Sequence, residues 1–385
     1  MAFVPVARAV PAPDQNPDYA VSVELDAQPA GAILGTRSIA LYGLPLPVSA
    51  RQVQYRTNDA NGWPVAGMAT VLVPNWPWFG PGQRPLLSYQ IAEDSLDARC
   101  APSYVLRGGW DLGGANTYID TLFIAEALRR GWAVVTSDYE GPESRFLDGV
   151  NSGRAVLDGI RAARALAPDG VGPASPIGAW GYSGGAFATL WAAQLQPEYA
   201  PDIQFAGITS GGVPADWPAM AHTVDGTVQA GLAMLVLAAI VKNDPNSDVL
   251  ELLNERGRTA VAEDAAACAP DFLVKYSNTH IDDFAVVPDV LSHPDFRAAT
   301  DPQELGGSAP VAPMYLYHST ADDVIPFAGF SDLLGRYCAQ GADISFVYSA
   351  LSGHDVTAIG EAPGAMNFLA DRFAGIPVAP GCHGR

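Results

Sequence analysis

Short apolar runs alternate along the chain with longer segments in which apolar residues recur at helical spacing. The apolar runs predict strands at 53–57, 68–73, 86–91, 133–137, from 177 up to the glycine-rich stretch at 181–185, at 203–209, 314–318 and 344–349. The helical spacing predicts five helices: at 117–130, at 151–167, from the glycine-rich stretch to Gln196, near 327–338, and at 356–373. In the first of these, Leu122, Ala125 and Leu128 lie on one face, and Asn151 is expected to cap the second. This order predicts an α/β fold with a mostly parallel sheet covered by helices on both faces.

The alternation stops after Gly212: residues 214–300 contain helix-like runs and loops, and we predict no strand there. We interpret 214–300 as an inserted helical cap. Residues 1–213 then form the first part of the core, beginning with an irregular proline-rich arm up to about residue 50, and residues 301–385 form the second part. The longest apolar run, 230–241, is too short to span a bilayer. It is equally compatible with a buried helix and with the lining of an acyl tunnel.

A glycine-rich turn joins a predicted strand to a predicted helix at Gly181-Tyr182-Ser183-Gly184-Gly185. This is the G-x-S-x-G pattern of a nucleophile elbow, in which a serine occupies a sharp turn and its neighbours must be small. The N-terminus of the following helix directs N–H groups towards negative charge beside that serine. The pattern therefore predicts Ser183 as a nucleophile on an α/β-hydrolase core. A plain glycine-rich turn is the alternative interpretation.

A serine nucleophile needs a base, and the base needs a group that orients it. On this fold the carboxylate and the histidine follow the serine in that order, each after the carboxyl end of a strand. Asp322 and Asp323 follow the strand at 314–318, and His354 follows the strand at 344–349. We therefore predict His354 as the base, whereas the positions alone do not choose between the two aspartates.

The tetrahedral intermediate of ester cleavage needs two hydrogen-bond donors for its oxyanion. The first predicted donor is the N–H of Gly184, directly after the nucleophile. The second is predicted in the loop Ala92-Glu93-Asp94 after the strand at 86–91, with Asp94 giving a backbone N–H while its carboxylate bonds locally. A solvated acidic loop is the alternative.

The chain carries 21 Lys and Arg against 41 Asp and Glu, a net charge of −20. This charge argues against nucleic acid or an anionic membrane as the main partner and suits a protein that acts on neutral molecules.

The four cysteines of the chain show no metal-ligand spacing, and by themselves allow three pairings or four free thiols. We expect no metal. The histidines other than His354 are assigned no catalytic role: His318, in a strand, is expected to pack or hydrogen-bond near the site, and His222, His280, His293 and His383 lie in the cap and tail.

The first 19 residues have no apolar core of the length that a signal peptide needs. Two interpretations are compatible with this: a cytoplasmic protein, or a secreted protein whose signal has been replaced by Met1.

Five segments together resemble the secretory lipase family. They are Tyr89-Gln-Ile-Ala-Glu-Asp94-Ser, Asp138-Tyr-Glu-Gly-Pro142, Gly-Tyr-Ser183-Gly-Gly-Ala, Thr320-Ala-Asp322-Asp-Val-Ile-Pro326 and Gly353-His354. The resemblance, which extends from about Tyr55 to the C-terminus, implies an α/β-hydrolase with a helical cap, secreted and free of cofactors. It implies Ser183 as nucleophile, Asp322 rather than Asp323 as the orienting acid, His354 as base, and Asp94 with Gly184 as oxyanion hole. It also implies the disulfides Cys100–Cys268 and Cys338–Cys382.

These observations predict a serine hydrolase that cleaves carboxylic esters through an acyl-enzyme. Family lipases can carry a C-terminal flap, whereas this chain ends three residues after Cys382. We therefore expect short-to-medium acyl esters rather than long-chain triglycerides. The expected partners are small-molecule or lipid esters, without stable membrane insertion. Acyl transfer by the same triad, and a non-catalytic binding protein on a hydrolase scaffold, are the alternative functions.

Overall fold

The computed structural model describes residues 10–109 and 115–384, which form one ten-stranded sheet. The strands in chain order are β1 (Ile33–Ser38), β2 (Val48–Asn58), β3 (Pro64–Pro74), β4 (Leu86–Gln90), β5 (Ala133–Ser137), β6 (Ile177–Tyr182), β7 (Phe205–Gly211), β8 (Met314–Ala321), β9 (Ile344–Ser352) and β10 (Cys382–Gly384). Their order across the sheet is β1-β2-β3-β5-β4-β6-β7-β8-β9-β10.

The sheet is antiparallel at one edge and parallel elsewhere. Strands β1, β2, β3 and β5 pair antiparallel with one another, whereas β5, β4, β6, β7, β8, β9 and β10 run parallel. The parallel strands carry almost continuous apolar residues because both faces are covered, and every residue of β4, β5 and β6 is buried. Their carboxyl ends meet at one edge, where an open α/β sheet binds its ligands.

Helices cover both faces of this sheet. The α-helices in chain order are α1 (Pro102–Val105), α2 (Ala115–Arg129), α3 (Gly149–Leu166), α4 (Gly184–Tyr199), α5 (Trp217–Val224), α6 (Gly231–Asn243), α7 (Glu255–Glu263), α8 (Ala269–Lys275), α9 (Pro294–Thr300), α10 (Phe327–Ala339) and α11 (His354–Phe373). The apolar residues of α3, α4 and α10 belong to one core cluster, and those of α2 and α11 belong to a second cluster. The predicted α/β-hydrolase architecture is thus present.

Helices α5 to α9 fill the interval between β7 and β8, together with several short 3₁₀ helices. Within this interval, which is described throughout, the residues add no strand to the sheet. Helix α6 is almost wholly apolar: nine of its thirteen residues are buried, and eight of these belong to the same core cluster as α3 and α4. The interval therefore packs on the core through a continuous apolar interface. None of the described helices is both long and apolar enough to cross a bilayer.

Four sequence expectations are wrong in detail. The arm before residue 50 is not wholly irregular: from residue 10, where its description begins, it includes β1 and the start of β2, because β1 completes an edge against β2. Asn151 does not cap α3, since the side chain of Asp148 accepts the Asn151 N–H at 3.1 Å and the helix begins at Gly149.

The other two corrections concern α2 and α11. Leu122 is 62% exposed, because the buried side of α2 is formed by Phe123, Ile124, Ala127 and Leu128. The last helix begins at His354, two residues earlier than expected.

Both disulfides implied by the resemblance are present, as Cys100–Cys268 and Cys338–Cys382. The first joins the segment after β4 to the residue that precedes α8. The second joins α10 to β10, the short strand that the proline- and glycine-rich tail adds beside β9.

Candidate active site

Ser183 occupies the sharp turn between β6 and α4, with φ of 56° and ψ of −127°. A non-glycine residue adopts a positive φ only where the surroundings enforce it, and such strain is typical of functional turns. The neighbouring glycines are required sterically. A Cβ at Gly181 would collide with the carbonyl oxygen of Gly185, and one at Gly185 would collide with the carbonyl oxygen of Gln90. The turn therefore projects Ser183 at the carboxyl edge of the sheet, as the G-x-S-x-G pattern predicts.

His354 and Asp322 form a hydrogen-bonded pair beyond β8 and β9. The His354 Nδ1–H donates to Asp322 Oδ2 at 2.9 Å, because a carboxylate oxygen can only accept. The Asp322 side chain is fully buried, and its other oxygen accepts the N–H groups of Val324 and Ile325 at 3.0 and 2.8 Å. Burial acts to raise the pKa of Asp322, but the bond and charge of His354 outweigh it, so this pKa lies below its usual value. Asp322 therefore stays ionised and orients the imidazole.

Nδ1 of His354 is occupied by Asp322, which leaves Nε2 as its free nitrogen. Nε2 is buried and has no hydrogen-bond partner among the described residues. Ser183 and His354 line the same cavity. An imidazole whose Nδ1–H is bonded to a carboxylate presents Nε2 as a proton acceptor, which is the arrangement that general-base catalysis needs.

Asp323 also contacts His354, but at the main chain rather than at the ring. Its Oδ1 accepts the His354 N–H at 2.9 Å. The Tyr182 hydroxyl donates to the His354 carbonyl at 2.7 Å, and the two rings lie 4.9 Å apart. Tyr182 was not singled out in the sequence, although it immediately precedes Ser183. Asp323 and Tyr182 thus hold the backbone of the residue whose ring Asp322 orients.

The other histidines lie outside this pair. His318 is fully buried next to it: its Nε2 bonds the Ile325 carbonyl at 3.0 Å, and burial lowers its pKa. It packs near the site, as expected. The remaining four have partners elsewhere: His222 with Ser292, His280 with Asp225, His293 with the Asp295 N–H and His383 with the Pro380 carbonyl.

The predicted oxyanion residues lie against each other across the elbow. A Cβ at Gly184 would collide with Asp94 Oδ1, so the Asp94 carboxylate packs directly on that glycine. Gly184 begins α4, where helix geometry offers its N–H no partner. Neither its N–H nor that of Asp94 bonds another residue within the described ranges. Two free backbone donors beside Ser183 are what an oxyanion hole requires.

The Asp94 carboxylate was expected to form local hydrogen bonds, but it does not hold its own loop in place. Other groups hold the loop: Asp120 accepts the Ala92 N–H at 3.1 Å, the Tyr139 hydroxyl accepts the Glu93 N–H at 3.1 Å, and Glu140 accepts the Ser95 N–H at 3.3 Å. Glu93 is only 4% exposed, which contradicts the alternative of a solvated loop. These partners come from α2 and from the turn after β5, so no local pattern could have identified them.

Carboxyl groups are concentrated under this loop, and burial changes their acidity. Burial raises the pKa of Asp94 to about 6, although the nearby His354 acts against it. Burial also raises the pKa of Asp120 to about 7. Burial is also the largest cause that raises the pKa values of Glu93 and Glu140 well above normal. Neighbouring carboxylates add to it: Glu140 raises the pKa of Glu93, and Asp94 raises the pKa of Glu140. As the pH falls through about 6, the Asp94 carboxyl takes up a proton and no longer opposes negative charge at the adjacent donors.

A sequence profile of the secretory lipase family matches residues 106–381 of the chain. The chain belongs to the secretory lipase family. Candida antarctica lipase A in its closed state superposes with a TM-score of 0.88 at 27% identity, over 97% of this chain and 89% of that one.

Two relatives show the range of this family. A secreted triacylglycerol lipase of Malassezia furfur is 32% identical over 388 residues, 96% of this chain and 81% of its own length. A Mycobacterium tuberculosis protein named as a probable inactive lipase is 36% identical over 374 residues, 95% of this chain and 83% of its own length. This member of the family is a carboxylic ester hydrolase of a secretory family, which confirms the predicted fold, enzyme class and localisation.

Proposed function

We propose that this secretory lipase hydrolyses carboxylic esters of short-to-medium acyl length through an acyl-enzyme on Ser183. His354 takes the serine proton at Nε2 as the hydroxyl attacks the ester carbonyl, and Asp322 orients the imidazolium that forms. The N–H groups of Asp94 and Gly184 stabilise the oxyanion. His354 then returns the proton to the departing alcohol. In the second half-reaction His354 takes a proton from water as the water attacks the acyl carbonyl, the bond to Ser183 Oγ breaks, the carboxylic acid leaves and the proton returns to Ser183.

One observation carries this proposal. The free Nε2 of His354 belongs to a residue that shares its cavity with Ser183, while Nδ1 of the same ring is bonded to a buried carboxylate. A nucleophile, a base and an orienting acid are therefore available from three separate strand ends. The strained elbow and the unpartnered N–H groups of Asp94 and Gly184 support the same chemistry.

The test combines an active-site label with an ester series. An alkyl fluorophosphonate is expected to form a single adduct, on the peptide containing Ser183, and Ser183→Ala is expected to lower kcat on p-nitrophenyl butyrate by roughly 10⁴-fold or more. Across p-nitrophenyl esters from acetate to palmitate, kcat/KM is expected to peak at short-to-medium chains. A peak at palmitate that rises further with emulsified substrate would contradict the acyl preference.

The same experiment separates the alternatives. The sequence by itself left a non-catalytic protein open as the alternative, and one relative is named as a probable inactive lipase. No adduct on Ser183 and no turnover of any ester would establish that alternative. An acyltransferase would instead form the adduct and, with a primary alcohol present in water, would yield more transferred ester than free acid.

A further inference from the structure

Two cavities meet at Ser183, and they differ in size and in their walls. The outer cavity has a volume of about 180 Å³, and its walls are mixed: they include His354, polar groups such as Asp120 and Gln229, and apolar side chains such as Phe123 and Leu273. The inner pocket has a volume of only about 30 Å³. Apart from Asp94, Ser183 and Gly184, its walls are apolar, and they include Phe146, Trp217, Met220 and Leu235.

The chemistry assigns each half of the ester to one of these cavities. The departing alcohol must receive its proton from His354 Nε2. His354 lines the outer cavity and is not part of the inner wall. The alcohol therefore leaves through the outer cavity, and the acyl chain, on the other side of the carbonyl carbon, extends into the inner pocket.

Trp217 forms the wall of the inner pocket that faces α4. Its side chain is buried, and its ring packs edge-on against Phe146, with centroids 5.6 Å apart, and against Phe187, with centroids 5.2 Å apart. Phe146 lines the pocket as well, whereas Phe187 does not. The indole therefore stands between the pocket and Phe187.

The backbone holds this indole in place. Trp217 is the first residue of α5, and the Asp216 side chain caps that helix by accepting the Ala219 N–H at 2.9 Å. Rings on two sides and a capped helix start therefore restrict the rotation of this side chain.

We propose that Trp217 sets the acyl-length limit of this enzyme by closing the acyl pocket after the first few carbon atoms. A volume of about 30 Å³ is only two to three times the roughly 10–15 Å³ that one water molecule needs, so beyond the carbonyl it accepts a short alkyl group. Removing the indole would extend the pocket towards Phe187. This inference rests on the proposed acyl-enzyme function and specifies its substrate class as short-acyl esters.

The test compares acyl-chain profiles of Trp217→Leu and Trp217→Ala with the wild type on p-nitrophenyl esters from acetate to dodecanoate. In the wild type, kcat/KM is expected to fall beyond butyrate. Each methylene that enters newly opened apolar space contributes about fourfold in kcat/KM. The ratio of kcat/KM for octanoate to that for acetate is therefore expected to rise at least 10-fold in both variants, and more in Trp217→Ala.

Trp191 supplies the matched control. Its ring belongs to the same aromatic cluster, with its centroid 6.2 Å from that of Phe187, but it does not line the inner pocket. Trp191→Leu and Trp191→Ala are expected to keep the wild-type profile. Trp217→Phe, which keeps a ring, tests the same point with the smallest disturbance of packing and is expected to give an intermediate profile.

The outcomes separate the inference from the function on which it rests. A wild type that prefers octanoate, or folded Trp217 variants that keep the wild-type ratio while Ser183 still forms its adduct, would overturn the role of Trp217 and leave ester hydrolysis intact. Absence of the Ser183 adduct in the wild type would overturn the proposed function itself.

Discussion

Asp322 and Asp323 are adjacent in sequence and both contact His354, yet they bond different atoms. Asp322 accepts from the ring at Nδ1, and Asp323 accepts from the main-chain N–H. Only the first contact fixes the tautomer that leaves Nε2 free to accept a proton. The sequence left this choice open, and the resemblance to the family made it. The difference lies in where each side chain points after β8.

We predict that Asp322→Asn lowers kcat by about 10⁴-fold, because an amide at this position favours the wrong tautomer of His354. Asp323→Asn is the matched control. Its amide oxygen still accepts the His354 N–H, so its kcat is expected to fall no more than about 10-fold. Steady-state kinetics on p-nitrophenyl butyrate provide the measurement. Equal losses of kcat in the two variants would contradict the assignment of the orienting role to Asp322 alone.

At the scale of secondary-structure elements, the loop at 92–95, the proposed oxyanion loop, depends on the segment that leads into α8. The Ala269 N–H donates to the Asp94 carbonyl at 3.1 Å, and the Leu96 N–H donates to the Ala267 carbonyl at 2.9 Å. The Cys100–Cys268 disulfide ties the same two segments together. The helical interval between β7 and β8 therefore supports the oxyanion loop in addition to covering the site.

The two disulfides allow this dependence to be tested within one chain. Removing either, as Cys100→Ser with Cys268→Ser or Cys338→Ser with Cys382→Ser, is expected to cost about 2–5 kcal/mol of unfolding free energy. Only the first pair is expected to lower kcat, by about 10-fold or more, because only that disulfide holds the segment that bears Asp94. Both variants are assayed well below their Tm. A normal kcat in the first pair would show that the loop holds its position without the disulfide.

The whole molecule combines a net charge of −20 with carboxyl groups buried near the site. Burial raises the pKa of Asp138 to about 7, as it does that of Asp120, while the Ser103 hydroxyl and N–H that bond Asp138 act in the opposite direction. A carboxyl whose pKa is higher in the folded state than in the unfolded state binds its proton more tightly when folded. Its contribution to stability is therefore greatest in acid and is lost as the pH rises towards 7.

We accordingly predict that the free energy of unfolding falls between pH 5 and pH 8, and the mutual repulsion of the surface carboxylates acts in the same direction. Denaturant titrations at both pH values measure this difference. Asp138→Asn is expected to remove on the order of 2 kcal/mol of it, whereas the exposed Asp332→Asn serves as the unchanged control. Stability that increases from pH 5 to pH 8 would contradict this assignment.

Local chemistry in the sequence determined the alternation of strands and helices, the elbow at Ser183 and the positions of the candidate base and acids. Apolar periodicity, glycine geometry and the place of a residue after a strand are properties of short segments, so they can be read without coordinates. The same reasoning failed for β1, which looks irregular by itself and becomes a strand only because β2 supplies its hydrogen-bond partners.

Only the tertiary structure decided which distant groups meet. It brings Asp120 and the turn after β5 to the oxyanion loop, gives the two neighbouring aspartates different contacts with His354, and sets Trp217 across the inner pocket. These contacts join residues far apart in the chain. They depend on strand order, crossover and side-chain packing, which no local pattern of residues records.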